Sequence, residues 1–400
     1  MQRSWMSFLE ISAFWVGRML WAMLGGSHPP DNRQQYGILL FRSSKLGDFV
    51  CATGAICYLK EAAGRRRVGL LTGFSRARSK VKTAFECPWV SLIHAFPAKD
   101  TVIAPLDRPL EIKSALERSG WIEQEHAIVI LALSGEKPLN LWKKLLLLRL
   151  AGVRGFLIGD RIIYRQWAKS LRTGRLTHQA RTPFAIAKLA SRELNLDRTK
   201  ISSPDYRISL SPDSRRWAAE WWTSKEVGIT IRVVVFTGGM RSHKRWPLEK
   251  FGVVLEYLAQ RGAEVALIGD DNDRRYVGER FAGLPRLRNT SGQLDLLKTS
   301  ALIALADIYF GNDSGPAHIA AGLGLETIVL FSGIHHPGVW EPFGRSVHAL
   351  RHETDCRGCL SELRCPRQTE ECIHAIPVPI AIQALNHALT AIAQRKRIGS

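Results

Sequence analysis

The chain has 400 residues, of which 46% are hydrophobic, enough for two domains with substantial cores; this excludes a largely disordered chain. Lys and Arg total 56 against 36 Asp and Glu, which gives a formal net charge of +20. Such an excess of cations indicates anionic partners and leaves phosphorylated ligands, acidic lipid and nucleic acid all open.

The N-terminal segment at residues 8–24 is apolar but carries Glu10 and Arg18, and it is shorter than the ~20 apolar residues that a membrane span needs. Its polar and apolar positions separate on a helix, which predicts an amphipathic helix and then a linker to residue 35. Trp15 and Trp21 suit a bilayer interface, so one interpretation is a helix lying on a membrane. A helix docked on the protein's own surface explains the same pattern equally well.

The charges in this segment also disfavour a signal peptide. The chain has seven Cys, and an odd count without a secretion signal indicates a reducing, cytoplasmic location.

Strand and helix patterns alternate from residue 37 to residue 194, which favours a parallel sheet with helices on both faces. The predicted strands are at residues 37–42, 67–72, 91–95, 127–132 and 155–159, and the predicted helices are at 49–63, 109–120, 140–151 and 183–194. Residues 196–212 are polar, contain Pro204 and Pro212, and predict a linker between domains.

A second alternating series starts with a strand at residues 231–236 and predicts another α/β domain of the same kind. Its further predicted elements are strands at 265–269, 308–311 and 326–331, a helix at 247–260, and a closing helix at 379–394 before a basic tail.

The turn at residues 43–48 follows the first strand, the position where open α/β sheets bind ligands. Asp48 at its end could accept a proton from an attacking hydroxyl. A second interpretation is that Asp48 only caps the following helix, and the turn taken alone favours that one.

The basic loop at residues 237–247 contains Gly238 and Gly239 and follows the first strand of the second series. Lys244 and Arg245 lie close to a predicted helix start, where a cation can neutralise a diphosphate leaving group. Taken alone, the loop is more typical of a solvated basic surface.

The segment at residues 312–318 joins a buried strand to a helix of small residues. A helix start presents free N–H groups and the positive end of the helix dipole, which suits a phosphate. His318 in the first turn is by itself more typical of a structural histidine, but the adjoining Asp-Ser-Gly sequence favours a functional role.

Four cysteines, Cys356, Cys359, Cys365 and Cys372, are spaced like metal ligands but lack the two Cys-x-x-Cys pairs of many zinc sites. This spacing leaves a bound metal and unligated thiols both open. The chain has no Walker A sequence and no Gly-x-Gly-x-x-Gly after the first strand, which disfavours a P-loop NTPase and a nicotinamide enzyme.

Taken together and in this order, these motifs resemble glycosyltransferase family 9, the ADP-heptose:lipopolysaccharide heptosyltransferases. The resemblance covers residues 37–393, and the cysteine spacing is similar to that of the heptosyltransferase II branch. Gly54 is a departure, because the family usually has Pro there. The motifs that carry the resemblance are residues 43–48, 244–247, 291–292 and 312–318.

The family implies a GT-B fold, in which two Rossmann-like domains face each other across a cleft. Residues 36–205 would form the acceptor domain and residues 206–378 the nucleotide-sugar domain. Residues 1–35 would add the amphipathic helix and its linker, and residues 379–400 the closing helix and basic tail.

The resemblance also implies an inverting, metal-independent glycosyltransferase without a cofactor, in which Asp48 is the general base and Lys244 binds the donor diphosphate. The expected donor-binding residues are Lys244, Asp273, Asp313, Ser314, Gly315 and His318. The expected acceptor-binding residues are Ser44, Lys45, Arg65 and Arg66.

The implied donor is ADP-heptose, and the implied acceptor is an anionic, lipid-linked lipopolysaccharide core at the inner face of the cytoplasmic membrane. A family 9 transferase with another nucleotide sugar or glycan acceptor, and a non-catalytic protein that binds nucleotide sugar or lipid, remain alternatives. Nucleic acid is not an expected partner, because aromatic and basic residues do not alternate as an RNA-binding sheet requires.

Overall fold

The protein is described here by a computed structural model that covers residues 2–21, 23, 37–43, 46–74, 91–92, 100–121, 127–131, 138–153, 155–173, 177–197, 204–222, 231–361 and 364–398. The chain divides into two compact units, Met1–Arg207 and Ile208–Ser400. Each unit contains a parallel sheet whose strands alternate with helices, as the sequence predicts.

The sheet of unit 1 has its first strand at the centre, in the order β3-β2-β1-β4-β5. Ile38 of the first strand is in register with Val68 on one side and Ile128 on the other. The run from Ile38 to Phe41 is fully buried, because helices cover both faces of the sheet. The strands are β1 (Gly37–Ser43), β2 (Val68–Phe74), β3 (Thr101–Pro105), β4 (Ala127–Leu131) and β5 (Gly155–Ile158).

One prediction for the first half of the chain is wrong, and one helix was not predicted. Ser91 and Leu92 lie in a 3-10 turn rather than in a strand, and the edge strand is β3, further along the chain; residues 93–95 lie outside the described residues. A helix follows β5 where none was predicted. The helices of unit 1 are α1 (Gln2–Trp21), α2 (Leu46–Val50), α3 (Thr53–Ala62), α4 (Pro109–Arg118), α5 (Pro138–Leu150), α6 (Asp160–Thr173) and α7 (Arg181–Glu193).

The predicted linker is in part a packed segment. Thr53 Oγ1 of α3 accepts a hydrogen bond from the Arg207 backbone N–H at 3.0 Å, and Tyr206 is buried. A Cβ on Gly54 would lie 2.1 Å from the Asp205 carbonyl oxygen. Gly54 therefore fits this chain because only glycine allows the segment to pass so close to α3.

The sheet of unit 2 has the order β11-β10-β9-β6-β7-β8, again with its first strand inside the sheet. Val233 of that strand is in register with Val265 and Ile308, and all three are buried. The strands are β6 (Arg232–Phe236), β7 (Glu264–Ile268), β8 (Leu287–Asn289), β9 (Ile308–Asn312), β10 (Glu326–Leu330) and β11 (Val347–Leu350).

The first helix of unit 2 starts at Pro212, inside the predicted linker, where the Ser211 hydroxyl accepts the Ser214 N–H as an N-cap. The last helix buries Leu385 and Leu389, and its Lys396 forms an ion pair with Asp307 at 2.7 Å. The helices are α8 (Pro212–Trp221), α9 (Leu248–Gln260), α10 (Asp271–Val277), α11 (Leu296–Ala304), α12 (Gly315–Gly322), α13 (Glu371–His374) and α14 (Val378–Ile398).

Across the described ranges, no helix combines the length and the apolar character needed to cross a membrane.

Candidate functional site

The strand order of unit 2 defines where a ligand would bind. Strands β7 and β8 lie on one side of β6, and β9, β10 and β11 lie on the other, so the direction of winding reverses between β6 and β9. Open α/β sheets bind ligands beyond the carboxyl ends of the strands at such a switch point. The segments that leave the sheet here are residues 237–247 after β6 and residues 313–318 after β9.

An ion pair joins these two segments. Lys244, at the end of the 3-10 turn Ser242–Lys244, donates from Nζ to Asp313 Oδ2. The side chains of Lys244 and Asp313 are only 18% and 7% exposed. Their mutual attraction is therefore screened less than that of a surface pair, and Asp313 holds the lysine ammonium at the switch point.

The buried side chain of Asn312 fixes the loop that carries Lys244. Its Nδ2 donates to the carbonyl oxygens of Thr237 at 2.7 Å and Gly238 at 3.0 Å. Its Oδ1 accepts the Trp246 N–H at 3.1 Å. Three hydrogen bonds thus tie the end of β9 to both ends of the loop, because an amide both donates and accepts.

Asp273, which the resemblance lists among the donor-binding residues, accepts two backbone hydrogen bonds at this edge of the sheet. One carboxylate oxygen accepts the Gly239 N–H and the other accepts the Asp270 N–H, each at 3.0 Å. A Cβ on Gly238 would lie 1.9 Å from Asp273 Oδ1, so the glycine is needed for this close approach. Burial raises the pKa of the Asp273 carboxyl. The carboxylate anchors the glycine loop and completes the N-terminal cap of α10.

The start of α12 lies directly after Asp313. Ser314 is the N-cap residue with extended backbone, and its hydroxyl makes no capping hydrogen bond. Gly315 and Pro316 form the start of the helix. His318 in the first turn is buried, and its ring centroid lies 6.3 Å from that of Trp340. The predicted residues Asp313, Ser314, Gly315 and His318 therefore share one corner of unit 2 with Lys244.

Three buried polar atoms at this edge have no hydrogen-bond partner within the described part of the chain: Thr237 Oγ1, Ser291 Oγ and His335 Nδ1. They follow β6, β8 and β10 respectively. Buried polar groups usually have partners, so a cluster at the carboxyl edge of one sheet is a feature of binding sites.

Sequence reasoning missed His335. Burial and the neighbouring Lys244 lower the pKa of its imidazole to about 4, so the ring is neutral near pH 7. Its ring centroid is 6.0 Å from that of Trp340, which also contacts His318. The available signal was the His335-His336 pair shortly after the apolar strand β10, at the same edge as the 312–318 segment.

In unit 1 the corresponding switch point lies between β1 and β4, and Asp48 follows β1. Asp48 is partly buried and is the third residue of α2, and its backbone carbonyl accepts a hydrogen bond from the Arg42 guanidinium. The N-cap of α3 is Ala52. The expectation that Asp48 caps the following helix is therefore wrong, because Asp48 lies inside a helix. Ser44 and Lys45 lie outside the described residues.

Arg65 and Arg66 lie at the other edge of this sheet. They precede β2, and in the parallel pair of β1 with β2 it is Gly73 that lies opposite Ser43. At ~3.3 Å per residue, the backbone of Arg66 is roughly 20 Å from this end of β1. The structure does not bring these two arginines together with Asp48.

The model of the family described as "Glycosyltransferase family 9 (heptosyltransferase)" matches residues 177–368. The match spans 192 of the 400 residues, and over this range the chain is similar to glycosyltransferase family 9. The matched region contains both segments of the unit 2 switch point, with Lys244 and Asp313.

Curated relatives match shorter stretches of the chain. Lipopolysaccharide heptosyltransferase 3 of Escherichia coli is 33% identical over 119 residues, which are 29% of this chain and 35% of the relative. Lipopolysaccharide heptosyltransferase 2 of Salmonella typhimurium is 29% identical over 113 residues, 27% of this chain and 32% of the relative. The chain thus spans about a third of the length of the curated relatives it matches.

Solved structures of family 9 proteins share the fold over most of the chain. The structure of E. coli ADP-heptose lipopolysaccharide heptosyltransferase II has a TM-score of 0.62 at 17% identity and covers 89% of this chain and 99% of its own. A family 9 glycosyltransferase from Veillonella parvula has a TM-score of 0.61 at 17% identity, with coverage of 89% and 98%. The fold is therefore the GT-B fold of these proteins.

Residues 356–372, which contain the four clustered cysteines, form hydrogen bonds with the loops of the candidate site. Gly358 N–H donates to Gly333 O at 2.7 Å, Leu360 N–H donates to Ile334 O at 3.0 Å, and His243 Nε2 lies 3.3 Å from Ser361 O. These contacts hold the loops that carry His335 and Lys244. Cys356, Cys359, Cys365 and Cys372 are free thiols, and in the ranges that the structure describes no cluster of His, Cys, Asp or Glu is arranged to hold a metal.

Proposed function

We propose that the protein is an inverting, metal-independent glycosyltransferase that transfers a heptose from ADP-heptose to a phosphorylated lipopolysaccharide inner-core acceptor. The carrying observation is the Lys244–Asp313 ion pair at the switch point of unit 2, next to the start of α12. The Lys244 ammonium group and the N–H groups at the start of α12 suit a nucleoside diphosphate, because both stabilise phosphate charge.

In this proposal Lys244 and the start of α12 bind the diphosphate. Asp313 is an anion and would repel phosphate, so its role is to orient Lys244 rather than to contact the donor. Negative charge grows on the departing ADP as the bond between its oxygen and the sugar breaks. A sheltered, pre-positioned ammonium stabilises that charge more strongly than water does.

Thr237, Ser291 and His335 would contact the rest of the donor. Each contributes a buried polar atom at the carboxyl edge of the sheet, with no partner in the described ranges. The neutral His335 ring can donate one hydrogen bond and accept another, which suits a sugar or ribose hydroxyl. Hydroxyl recognition by buried polar groups gives strong selectivity, because the wrong ligand leaves those groups unpaired.

Asp48 would act as the general base. The acceptor hydroxyl oxygen attacks the anomeric carbon, its proton passes to the Asp48 carboxylate, and the bond to the diphosphate breaks with its electrons going to ADP. Attack opposite to the leaving group inverts the anomeric centre. The support is the place of Asp48 after the central strand of unit 1, beside the switch point of that sheet.

The comparisons support the choice of donor and acceptor class. The matched relatives are lipopolysaccharide heptosyltransferases, and E. coli heptosyltransferase WaaC, whose TM-score to this chain is 0.56, has been solved with ADP. A lipopolysaccharide precursor is an anionic lipid, which agrees with the net charge of +20. We extend the proposal to a peripheral location on the cytoplasmic face of the membrane that carries this acceptor.

A donor screen with product analysis tests the proposal. ADP-, UDP- and GDP-sugars are compared by thermal shift, and the stabilising donor is then incubated with heptose-deficient lipopolysaccharide core. Stabilisation by ADP-heptose followed by release of ADP is the expected result. Turnover with another sugar nucleotide would indicate a different family 9 transferase, and binding without release of nucleotide would indicate a non-catalytic protein.

A further inference from the structure

Helix α1 packs on unit 1 through one face. Phe14 stacks on Tyr164 of α6 with ring centroids 4.0 Å apart, and Trp21 Nε1 donates to the Gly155 carbonyl oxygen at 3.3 Å. A Cβ on Gly17 would lie 2.2 Å from the Trp142 ring of α5, so glycine permits the close contact of these helices. The helix is therefore a fixed part of unit 1.

The opposite face of α1 is apolar and exposed to solvent. Trp15 and Met19 are 57% and 56% exposed, and neither they nor their exposed neighbours carry a charge. An exposed, contiguous set of large apolar side chains on a docked helix indicates a surface that binds a partner. The exposed apolar residues on this face are Ile11, Trp15, Val16, Met19 and Leu20.

Helix α5 extends the apolar surface. Leu139, Leu146 and Leu150 are 43%, 48% and 60% exposed. Val16 and Leu20 of α1 line a shallow groove with Leu146 of α5, with a volume of about 240 Å³. We call the exposed apolar residues of α1 and α5 together the apolar platform.

A row of cations borders the apolar platform on α6. The row consists of Arg161, Arg165, Lys169 and Arg172, all exposed and spaced at four, four and three residues, which places them on one side of the helix. The ring of Trp15 lies 6.4 Å from that of Tyr164, so the platform helix α1 contacts α6, the helix that carries the row. Asp160 is the acidic residue of α6, and Arg18 of α1 forms an ion pair with it. The negative charge of Asp160 is therefore offset and does not cancel a charge of the row.

We propose that the apolar platform and the cationic row bind the surface of an anionic lipid bilayer. Trp and aliphatic side chains on one face of a surface helix enter the headgroup region, and adjacent Arg and Lys attract acidic lipids. A second copy of this chain fits less well, because it would bring an identical cationic row. The proposal deepens the proposed function, on which it rests in one respect: a lipid-linked acceptor is presented at a membrane.

The test is co-sedimentation of the full chain with vesicles. One set of vesicles is phosphatidylcholine alone, and the other contains roughly 30% phosphatidylglycerol, which gives a negative surface charge similar to that of a cytoplasmic leaflet. The expected result is binding to the anionic vesicles that weakens as salt is raised. Two double variants separate the contributions of the two surfaces: Trp15→Ser with Met19→Ser, and Arg165→Glu with Lys169→Glu.

Each double variant should weaken vesicle binding by about tenfold or more, because removed apolar contacts and reversed charges both oppose lipid binding. A matched control is Val253→Ser with Ile380→Ser, which removes two exposed apolar side chains from α9 and α14 of unit 2 and should leave binding unchanged. Unchanged binding by the platform variants would overturn the proposal. The proposal would also be overturned if the wild type were a dimer that does not bind vesicles, and if this dimer dissociated in the Trp15→Ser, Met19→Ser variant.

Thermal shift with ADP, measured on the same variants without lipid, distinguishes this inference from the proposed function. ADP binding should be preserved in both double variants. Loss of vesicle binding together with intact ADP binding supports the inference, whereas wild-type chain that binds vesicles but no ADP would contradict only the proposed function.

Discussion

Lys244 and Asp313 form an ion pair although 69 residues separate them in the chain. The contact joins the loop after β6 to the turn after β9, the two strands between which the winding of the second sheet reverses. The side-chain amide of Asn312, at the end of β9, holds the loop after β6 through three hydrogen bonds to its backbone. The charge at this point is thus fixed in place before any ligand binds, as electrostatic stabilisation of a leaving group requires.

Replacing Lys244 by Met should weaken ADP binding roughly 10- to 100-fold, because a hydrogen bond to a charged group contributes ~1.5–3 kcal/mol. Isothermal calorimetry with ADP measures the change. Lys298→Met removes an exposed lysine of α11 and serves as the control. Asp313→Asn should also weaken binding, through a less well oriented lysine. Equal ADP affinity in wild type and Lys244→Met would contradict the assigned role.

Replacing Asp273 by Asn should destabilise unit 2 by about 1–3 kcal/mol, because the carboxylate accepts backbone N–H groups from the glycine loop and the α10 cap. Chemical denaturation in the absence of nucleotide measures this. If Asp273 instead contacts only the donor, as the resemblance implies, the substitution would lower ADP affinity and leave the free energy of unfolding unchanged.

His335 should make stability depend on pH. Its imidazole pKa is lowered from 6.5 to about 4 in the folded chain, so the unfolded chain binds the proton more readily. The stabilisation is complete above pH 6.5 and is lost as the pH falls toward 4, at ~1.4 kcal/mol for each unit of pKa difference. The melting temperature should therefore fall more steeply between pH 7.5 and pH 4.5 for wild type than for His335→Gln. An equal fall in both proteins would contradict the burial of a neutral ring.

Chelation tests the metal independence of the proposed reaction. Lys244 and the start of α12 are assigned the charge of the leaving diphosphate, so EDTA should leave the rate of transfer unchanged. The measurement is ADP release before and after dialysis against EDTA, with added Mg²⁺ as the comparison. Loss of turnover on chelation and recovery with a divalent cation would assign that charge to a metal.

The core of the fold could be predicted from the sequence because buried parallel strands are continuous apolar runs. β1 and β6 are such runs, buried from Ile38 to Phe41 and from Val233 to Phe236. β3 was missed because its residues alternate between buried and partly exposed and it ends at Pro105, which resembles a loop. α6 was missed because its outer face is rich in cations and resembles a solvated segment.

The candidate site could be predicted in its parts but not in its contacts. The turn at Asp313 and the loop at Lys244 were identified from local sequence, whereas their ion pair depends on the order of β6 and β9 in the sheet. The hydrogen bonds of Asp273 to the glycine loop and the α10 cap could not be predicted, because a short-range pattern cannot show which backbone groups its carboxylate accepts. His335 was missed because its significance comes from burial beside Lys244, which only packing creates.

The most direct test of the central claim is the rate of ADP release from ADP-heptose in the presence of heptose-deficient lipopolysaccharide core. The rate is measured for wild type, for Asp48→Asn and for the control Asp213→Asn, which changes an exposed carboxylate of α8. Asp48→Asn should lose activity by about 10²- to 10⁴-fold, the usual contribution of a general base, with ADP affinity unchanged. Wild-type turnover by Asp48→Asn, or no release of ADP by the wild type, would contradict the claim.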